Sequence, residues 1–184
     1  VGDIVSTCFA PNGYFYAIGT ESNGIFPPFP TEIICLDPAS NYATIFNIPA
    51  QFVRKELIPS QTYGCAVING IAADCNYLYT YNGDTLKKRN LLTGAILAAI
   101  TIPGGADLTN SGLKLDKCGN IYVGSSTGVY VYDTAFALVN TFVTTAEVSD
   151  IVIANNGIFY ACGGGTTIAN SFITQFSNQV ICQS

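Results

Sequence analysis

The chain has 184 residues, a formal net charge of −5 with only 7 Lys and Arg, 49% hydrophobic residues and 10% charged ones. That is enough chain for a real core, too apolar for disorder, too poor in charge for solvated helical faces, and without the basic surface that displaces counterions from a nucleic acid. The longest apolar stretch, 91–102, is broken by Thr93-Gly94 and is too short to cross a bilayer, so neither a nucleic-acid partner nor membrane insertion is expected.

Eighteen glycines and eight prolines fall at turn spacing along the chain, which predicts an all-β protein. Its strands group in fours. The first group runs through 3–9, 14–18, 32–36 and 42–48, and its connection 19–31 holds Phe26, Phe29 and three prolines, which forbid a regular ladder there. A second insertion, 50–63, carries Arg54-Lys55-Glu56, a candidate single helical turn. The second group takes 64–72, 77–81, 85–91 and 95–102, with tight turns at Asn82-Gly83-Asp84 and Leu92-Thr93-Gly94; an Asn-Gly pair between strands is a strong hairpin signal. The third takes 113–116, 121–124, 129–132 and 137–143. The fourth takes 151–154, 157–161, 172–175 and 179–182, with Gly163-Gly164-Gly165 opening a loop.

One unit repeats through these groups. Pro11-Asn12-Gly13-Tyr14-Phe15-Tyr16, Asp74-Cys75-Asn76-Tyr77-Leu78-Tyr79, Asp116-Lys117-Cys118-Gly119-Asn120-Ile121-Tyr122 and Asn155-Asn156-Gly157-Ile158-Phe159-Tyr160 each place a turn before an aromatic strand. Aligning Tyr16, Tyr79, Tyr122 and Tyr160 gives steps of 63, 43 and 38 residues, the last two close to the length of a four-stranded propeller blade. Strands such as Ile121-Tyr122-Val123 and Ile151-Val152-Ile153 are apolar on both sides, as strands covered on both faces must be. The expected fold is a β-propeller of four-stranded antiparallel blades at about 3–49, 64–103, 111–143 and 150–183, one propeller region over 1–184. A β-sandwich is the alternative. In a propeller the two insertions, 19–31 and 50–63, emerge on one rim.

The segment Asp116-Lys117-Cys118-Gly119-Asn120-Ile121-Tyr122-Val123-Gly124, with Val148-Ser149-Asp150 and Gly157 to Gly163, resembles the NHL-like bacterial β-propeller repeat of large secreted Bacteroidota proteins associated with gliding motility or type IX secretion. The match is good in the third blade, fair in the first and fourth, and poor in the second. The resemblance implies a propeller of six or more blades, of which the four here are a part, in a secreted or cell-surface protein that binds or displays something, with protein, glycan or secretion machinery as partner.

The chemistry legible in the residues is sparse. There is no histidine and no G-x-S-x-G elbow, so the common hydrolase arrangements are missing and no catalytic residue is assigned. Seven cysteines (Cys8, Cys35, Cys65, Cys75, Cys118, Cys162 and Cys182) lack C-x-x-C spacing and suit disulfides in an oxidising, extracellular compartment better than a metal; neither metal nor cofactor is expected. Cys118 follows Lys117, and a turn disulfide is the expectation there over a reactive thiol. Glu21, Glu32, Glu56, Asp84 and Asp107 would serve a carbohydrate-active enzyme if two converged on the rim. Candidate partner contacts are Glu21, Phe26, Phe29, Arg54, Lys55 and Glu56. Asp84-Thr85-Leu86 and Asp133-Thr134-Ala135 are similar to Bacteroidota O-glycosylation acceptors, which makes Thr85 and Thr134 candidate modification sites. The expected function is a non-enzymatic extracellular binding, adhesion or surface-display module. A carboxylate-dependent carbohydrate-active enzyme and a passive spacer in a large adhesin are the alternatives.

Overall fold

The computed structural model describes residues 3–20, 31–50, 70–105, 112–154, 157–164 and 171–177. Among them are fifteen strands in four separate antiparallel sheets, each meandering in chain order. The first sheet is β1 (Asp3–Phe9), β2 (Phe15–Thr20), β3 (Thr31–Asp37) and β4 (Ala43–Ala50). The second is β5 (Gly70–Ala73), β6 (Tyr77–Tyr81), β7 (Thr85–Asn90) and β8 (Ile96–Thr101). The third is β9 (Leu113–Leu115), β10 (Ile121–Gly124), β11 (Gly128–Tyr132) and β12 (Leu138–Val143). The fourth is β13 (Val148–Ile153), β14 (Ile158–Gly163) and β15 (Phe172–Ser177), and the outer strand expected at 179–182 lies outside the described residues. The fold is a β-propeller; a sandwich would join its strands into two facing sheets, whereas here four sheets stand side by side.

Successive blades pack face to face through three apolar layers. Tyr16, Ile18 and Ile33 of the first meet Ile71, Leu78 and Leu91 of the second. Tyr79, Tyr81 and Leu86 of the second meet Leu113, Ile121 and Val123 of the third. Tyr122, Val129 and Val131 of the third meet Val148, Ile151 and Phe159 of the fourth. A strand residue and its cross-strand partner share a face, so the side is read from the register. The ladder Cys8↔Tyr16↔Cys35 belongs to one face and Phe9↔Phe15↔Leu36 to the other. The two-residue pattern of apolar side chain then Tyr (Leu78-Tyr79, Ile121-Tyr122) therefore sends the first side chain to the preceding blade and the Tyr to the following one. This is why the strands read as apolar on both sides.

Near the axis the inner strands approach too closely for side chains at two positions. A Cβ on Gly70 would fall 2.5 Å from Leu113 Cβ, and one on Gly112 would fall 2.6 Å from the Ile151 backbone nitrogen. The glycines thus set the spacing from second to third and from third to fourth blade.

Candidate functional site

The repeated turn is a structural device. Asp116 Oδ1 accepts from the backbone N–H of Cys118 (2.8 Å) and Asn120 (2.9 Å), while Oδ2 accepts from Asn120 Nδ2 (2.8 Å) and the Tyr122 hydroxyl (3.3 Å). Gly119, at φ +82°, makes the reversal that a side chain would oppose. In the second blade Asp74 does the same without a glycine, taking the N–H of Asn76 and Tyr77 and the hydroxyl of Tyr79. In the first blade Asn12 caps Tyr14, and the Tyr16 hydroxyl instead donates to the Leu91 carbonyl of the next blade (2.8 Å). The motif that carries the family resemblance holds blades in shape, and its carboxylates are occupied.

Lys87-Lys88-Arg89, the densest basic run, is divided by the pleat. Lys88 lies on the face toward the third blade, where its ammonium stands 4.9 Å from the Tyr77 ring centroid and 5.4 Å from that of Phe136 and donates to the Thr134 carbonyl (2.8 Å). Lys87 and Arg89 share the opposite face. Buried Arg89 donates to Thr80 Oγ1 (3.1 Å) and to the Gly94 carbonyl (2.9 Å), fixing the 91–95 turn. Burial lowers the pKa of both, and the Arg89 charge adds to the effect on Lys87.

Of the expected site residues, Glu21, Phe26, Phe29, Arg54, Lys55 and Glu56 lie outside the described residues, as do Asp107, Cys65 and Cys182. Glu32 accepts from Asn47 Nδ2 (2.7 Å) and Asp84 is exposed; the structure does not bring them together with a second carboxylate in any described arrangement. Among the described residues no group of three or more His, Cys, Asp and Glu is disposed to hold a metal ion. Thr134 is exposed on the turn between β11 and β12, and Thr85 is half-buried at the start of β7, its N–H held by Asn82.

Cys118 is disulfide-bonded. The wider expectation of disulfides is corrected at four positions: Cys8, Cys35, Cys75 and Cys162 are free thiols. Cys8 and Cys35 flank Tyr16 from the strands on either side, which separates their Cα atoms by two strand spacings, about 9–10 Å, beyond the reach of a disulfide. Burial pushes the Cys8 thiol up to about 12, with a smaller push from Cys35 and a smaller opposing pull from Lys114. Such a thiol is a poor nucleophile.

What the molecule does present is an apolar outer edge. β8 (Ile-Leu-Ala-Ala-Ile-Thr) and β12 (Leu-Val-Asn-Thr-Phe-Val) carry no charge, and each pairs on one side only among the described residues. Ile96, Leu97, Leu138, Val139 and Val143 are exposed along them, with Leu92 on the adjoining turn. Edge strands are commonly protected by charge, proline or a covering element, and these two have neither charge nor proline. This surface was not among the sequence-predicted site residues. Its signal was present as the charge-free run 91–102.

No family model matches the chain, and no curated protein does. Solved structures do. A luciferin-regenerating enzyme superposes with a TM-score of 0.65 at 12% identity, over 97% of this chain and 62% of that one. A gluconolactonase from Xanthomonas campestris gives 0.59 at 18% identity, over 88% and 54%. BamB from Moraxella catarrhalis gives 0.53 at 14% identity, over 88% and 42%. The chain thus spans less than two thirds of each of these proteins, and at such identities the likeness is one of fold.

Proposed function

We propose that this chain is a non-enzymatic, extracellular propeller module that binds a protein partner through the outer edges of its second and third blades. The observation that carries the reading is the pair of charge-free edge strands, β8 and β12, with exposed Leu97, Leu138 and Val143. An unpaired strand edge offers backbone hydrogen bonds to an added strand, and the apolar side chains offer area to bury. A surface-display or adhesion role within a type IX secreted or gliding-motility protein extends the reading and rests on the repeat's resemblance. An extracellular location is supported by the disulfide at Cys118, a bond that persists in oxidising compartments. Thr134, exposed on its turn, and Thr85 remain the proposed O-glycan acceptors. The engagement of Asp74 and Asp116 in their own turns supports a role other than carboxylate catalysis.

The test is capture of surface proteins from the source organism by the chain and by Leu97→Lys and Leu138→Lys, with circular dichroism confirming that each variant is folded. The expected result is one partner retained by the unaltered chain and lost, by tenfold or more in affinity, from both variants. Equal capture by all three sinks the edge as the site. Lactone or glycan hydrolysis by the purified chain would replace the reading with an enzymatic one.

A further inference from the structure

The repeat has a rule that the fourth blade breaks. Tyr16, Tyr79 and Tyr122 each face the following blade and are 0–2% exposed, whereas Tyr160, at the same position two residues beyond the turn, is 40% exposed. Its ladder neighbours on that face are exposed too: Val152, directly opposite it, is 59% exposed, and Ile173, opposite Cys162, is 80% exposed. At the other end of the arc the mirror of this occurs. Leu78, Ile121 and Phe159 each precede their Tyr, face the preceding blade and are fully buried; Phe15 in the first blade is only half-buried, and Phe9, tilted against it at 4.9 Å between ring centroids, is 65% exposed. Two apolar faces, one at each end, therefore stand open.

We infer that these faces are interblade surfaces, and that their occupant is a pair or more of further blades belonging to the same polypeptide. In each of the three closed layers the Tyr face is covered by the Leu, Ile or Phe face of another blade. The Val152, Tyr160 and Ile173 surface asks for the same cover, and the Phe9 and Phe15 surface offers to be covered by a Tyr face. Neither can be the other's partner within these four blades, since both are open together. The curvature agrees: four blades laid on 97% of their length trace only 62% of one propeller and, at 88%, 54% of another, which leaves room for roughly two or three blades at ordinary blade length. This inference is independent of the binding edge, which lies on the outer strands of the second and third blades.

A photo-crosslinking amino acid placed at Ile173 in the native protein, expressed in its source organism, tests the occupant. The expected product is an intrachain link to a peptide outside residues 1–184, in a polypeptide at least half as large again as 19.5 kDa. A link to β1 or β2 of the same chain would mean a four-bladed ring, a link to those strands in a second copy a head-to-tail oligomer, and a link to an unrelated protein a docking face; each overturns the inference. So does a native mass of 19.5 kDa or the absence of any link. The same residue placed at Phe159 should link to Tyr122 or Phe142 of the third blade or to Phe176 of its own sheet, and to no peptide outside residues 1–184, which verifies that the probe reports the packing described.

Discussion

Tyr122 and Tyr160 occupy one register position in neighbouring blades, each following an apolar residue that is fully buried, Ile121 or Phe159, yet Tyr122 is sealed and Tyr160 is not. The difference lies in the neighbour. Tyr122 is 5.1 Å from the Phe159 ring of the next blade, edge-on, and Phe159 is in turn stacked with Phe176 and edge-on to Phe142. The Tyr160 hydroxyl donates to the Gln175 side chain of its own sheet (3.1 Å). The local sequence specifies which way a blade side chain points; the burial it achieves depends on the blade that comes next.

The largest expected effect comes from truncating a closed layer. Phe159→Ala should cost about 3–5 kcal/mol and Ile121→Ala about 2–5 kcal/mol in urea denaturation, since each leaves a cavity among well-packed side chains. Ile173→Ala, on the open face, should stay within about 0.5 kcal/mol in the 184-residue chain. A loss at Ile173 as large as that at Phe159 would break the comparison, because it would mean that the outer face is already packed.

Next in size is the turn. Asp116→Ala removes an acceptor that takes two backbone and two side-chain donors, leaving part-buried groups of Asn120 and Tyr122 without it, and should cost about 1–3 kcal/mol. Asp150→Asn at the open end, whose ion pair with Lys114 spans 3.8 Å between two largely exposed side chains, should cost almost nothing.

Much of the blade architecture was legible because it depends on local signals. The strands β1, β6 and β10 fall where alternation and turn chemistry put them, and most others differ by one or two residues at ends that pairing decides. The inner strand of the fourth blade begins at Val148, earlier than the apolar run beginning at Ile151, because an irregularity between Val148 and Asp150 leaves polar Ser149 out of the register while Val148 and Asp150 still pair, with Gly163 and Cys162. What stayed illegible depends on distance in space. Which cysteines bond is set by strand spacing across Tyr16, and the basic run 87–89 looks like a cluster until the pleat sends Lys88 away from its neighbours. The exposed apolar edge was hidden for a similar reason: a charge-free strand reads as core until its place at the outside of the sheet is known.

Thiols separate closed from open faces without changing stability. Cys8 and Cys35 share the Tyr16 face, and burial raises the pKa of both; Cys162 lies on the Tyr160 face. Under native conditions at pH 8, Cys162 and exposed Cys75 should react with iodoacetamide at least tenfold faster than Cys8, as quantified by mass spectrometry. Cover of the Tyr160 face by the further blades inferred above should protect Cys162. The raised Cys8 pKa also gives a sign for alkaline stability. Below pH 9.0 the thiol is protonated in both folded and unfolded chain and its contribution is complete; between 9.0 and about 12 only the unfolded chain has lost the proton, so stability falls as pH rises. Cys8→Ala should flatten that fall, measured as the urea midpoint from pH 8 to 10.5, and an unchanged slope would mean that Cys8 titrates as an exposed thiol does.

The smallest effect concerns the one described cation that bridges two blades through aromatic rings. Lys88 extends from β7 across to the turn after β11, between Tyr77 of its own blade and Phe136 of the next, and Phe136 holds its ring there at a positive φ of 68° that a non-glycine residue adopts only at a cost. At this partly exposed site the attraction to the rings is worth only about 0.5–1 kcal/mol. A double-mutant cycle of Lys88→Met with Phe136→Leu isolates it: Met keeps the apolar stem and Leu keeps a side chain at the strained position, so packing is approximately conserved while charge and ring are removed. A coupling near 0.5 kcal/mol places part of the interblade energy in this contact. Zero coupling would remove the ring contact from the forces that join the second and third blades, and would make the hydrogen bond to the Thr134 carbonyl the reason Lys88 lies where it does.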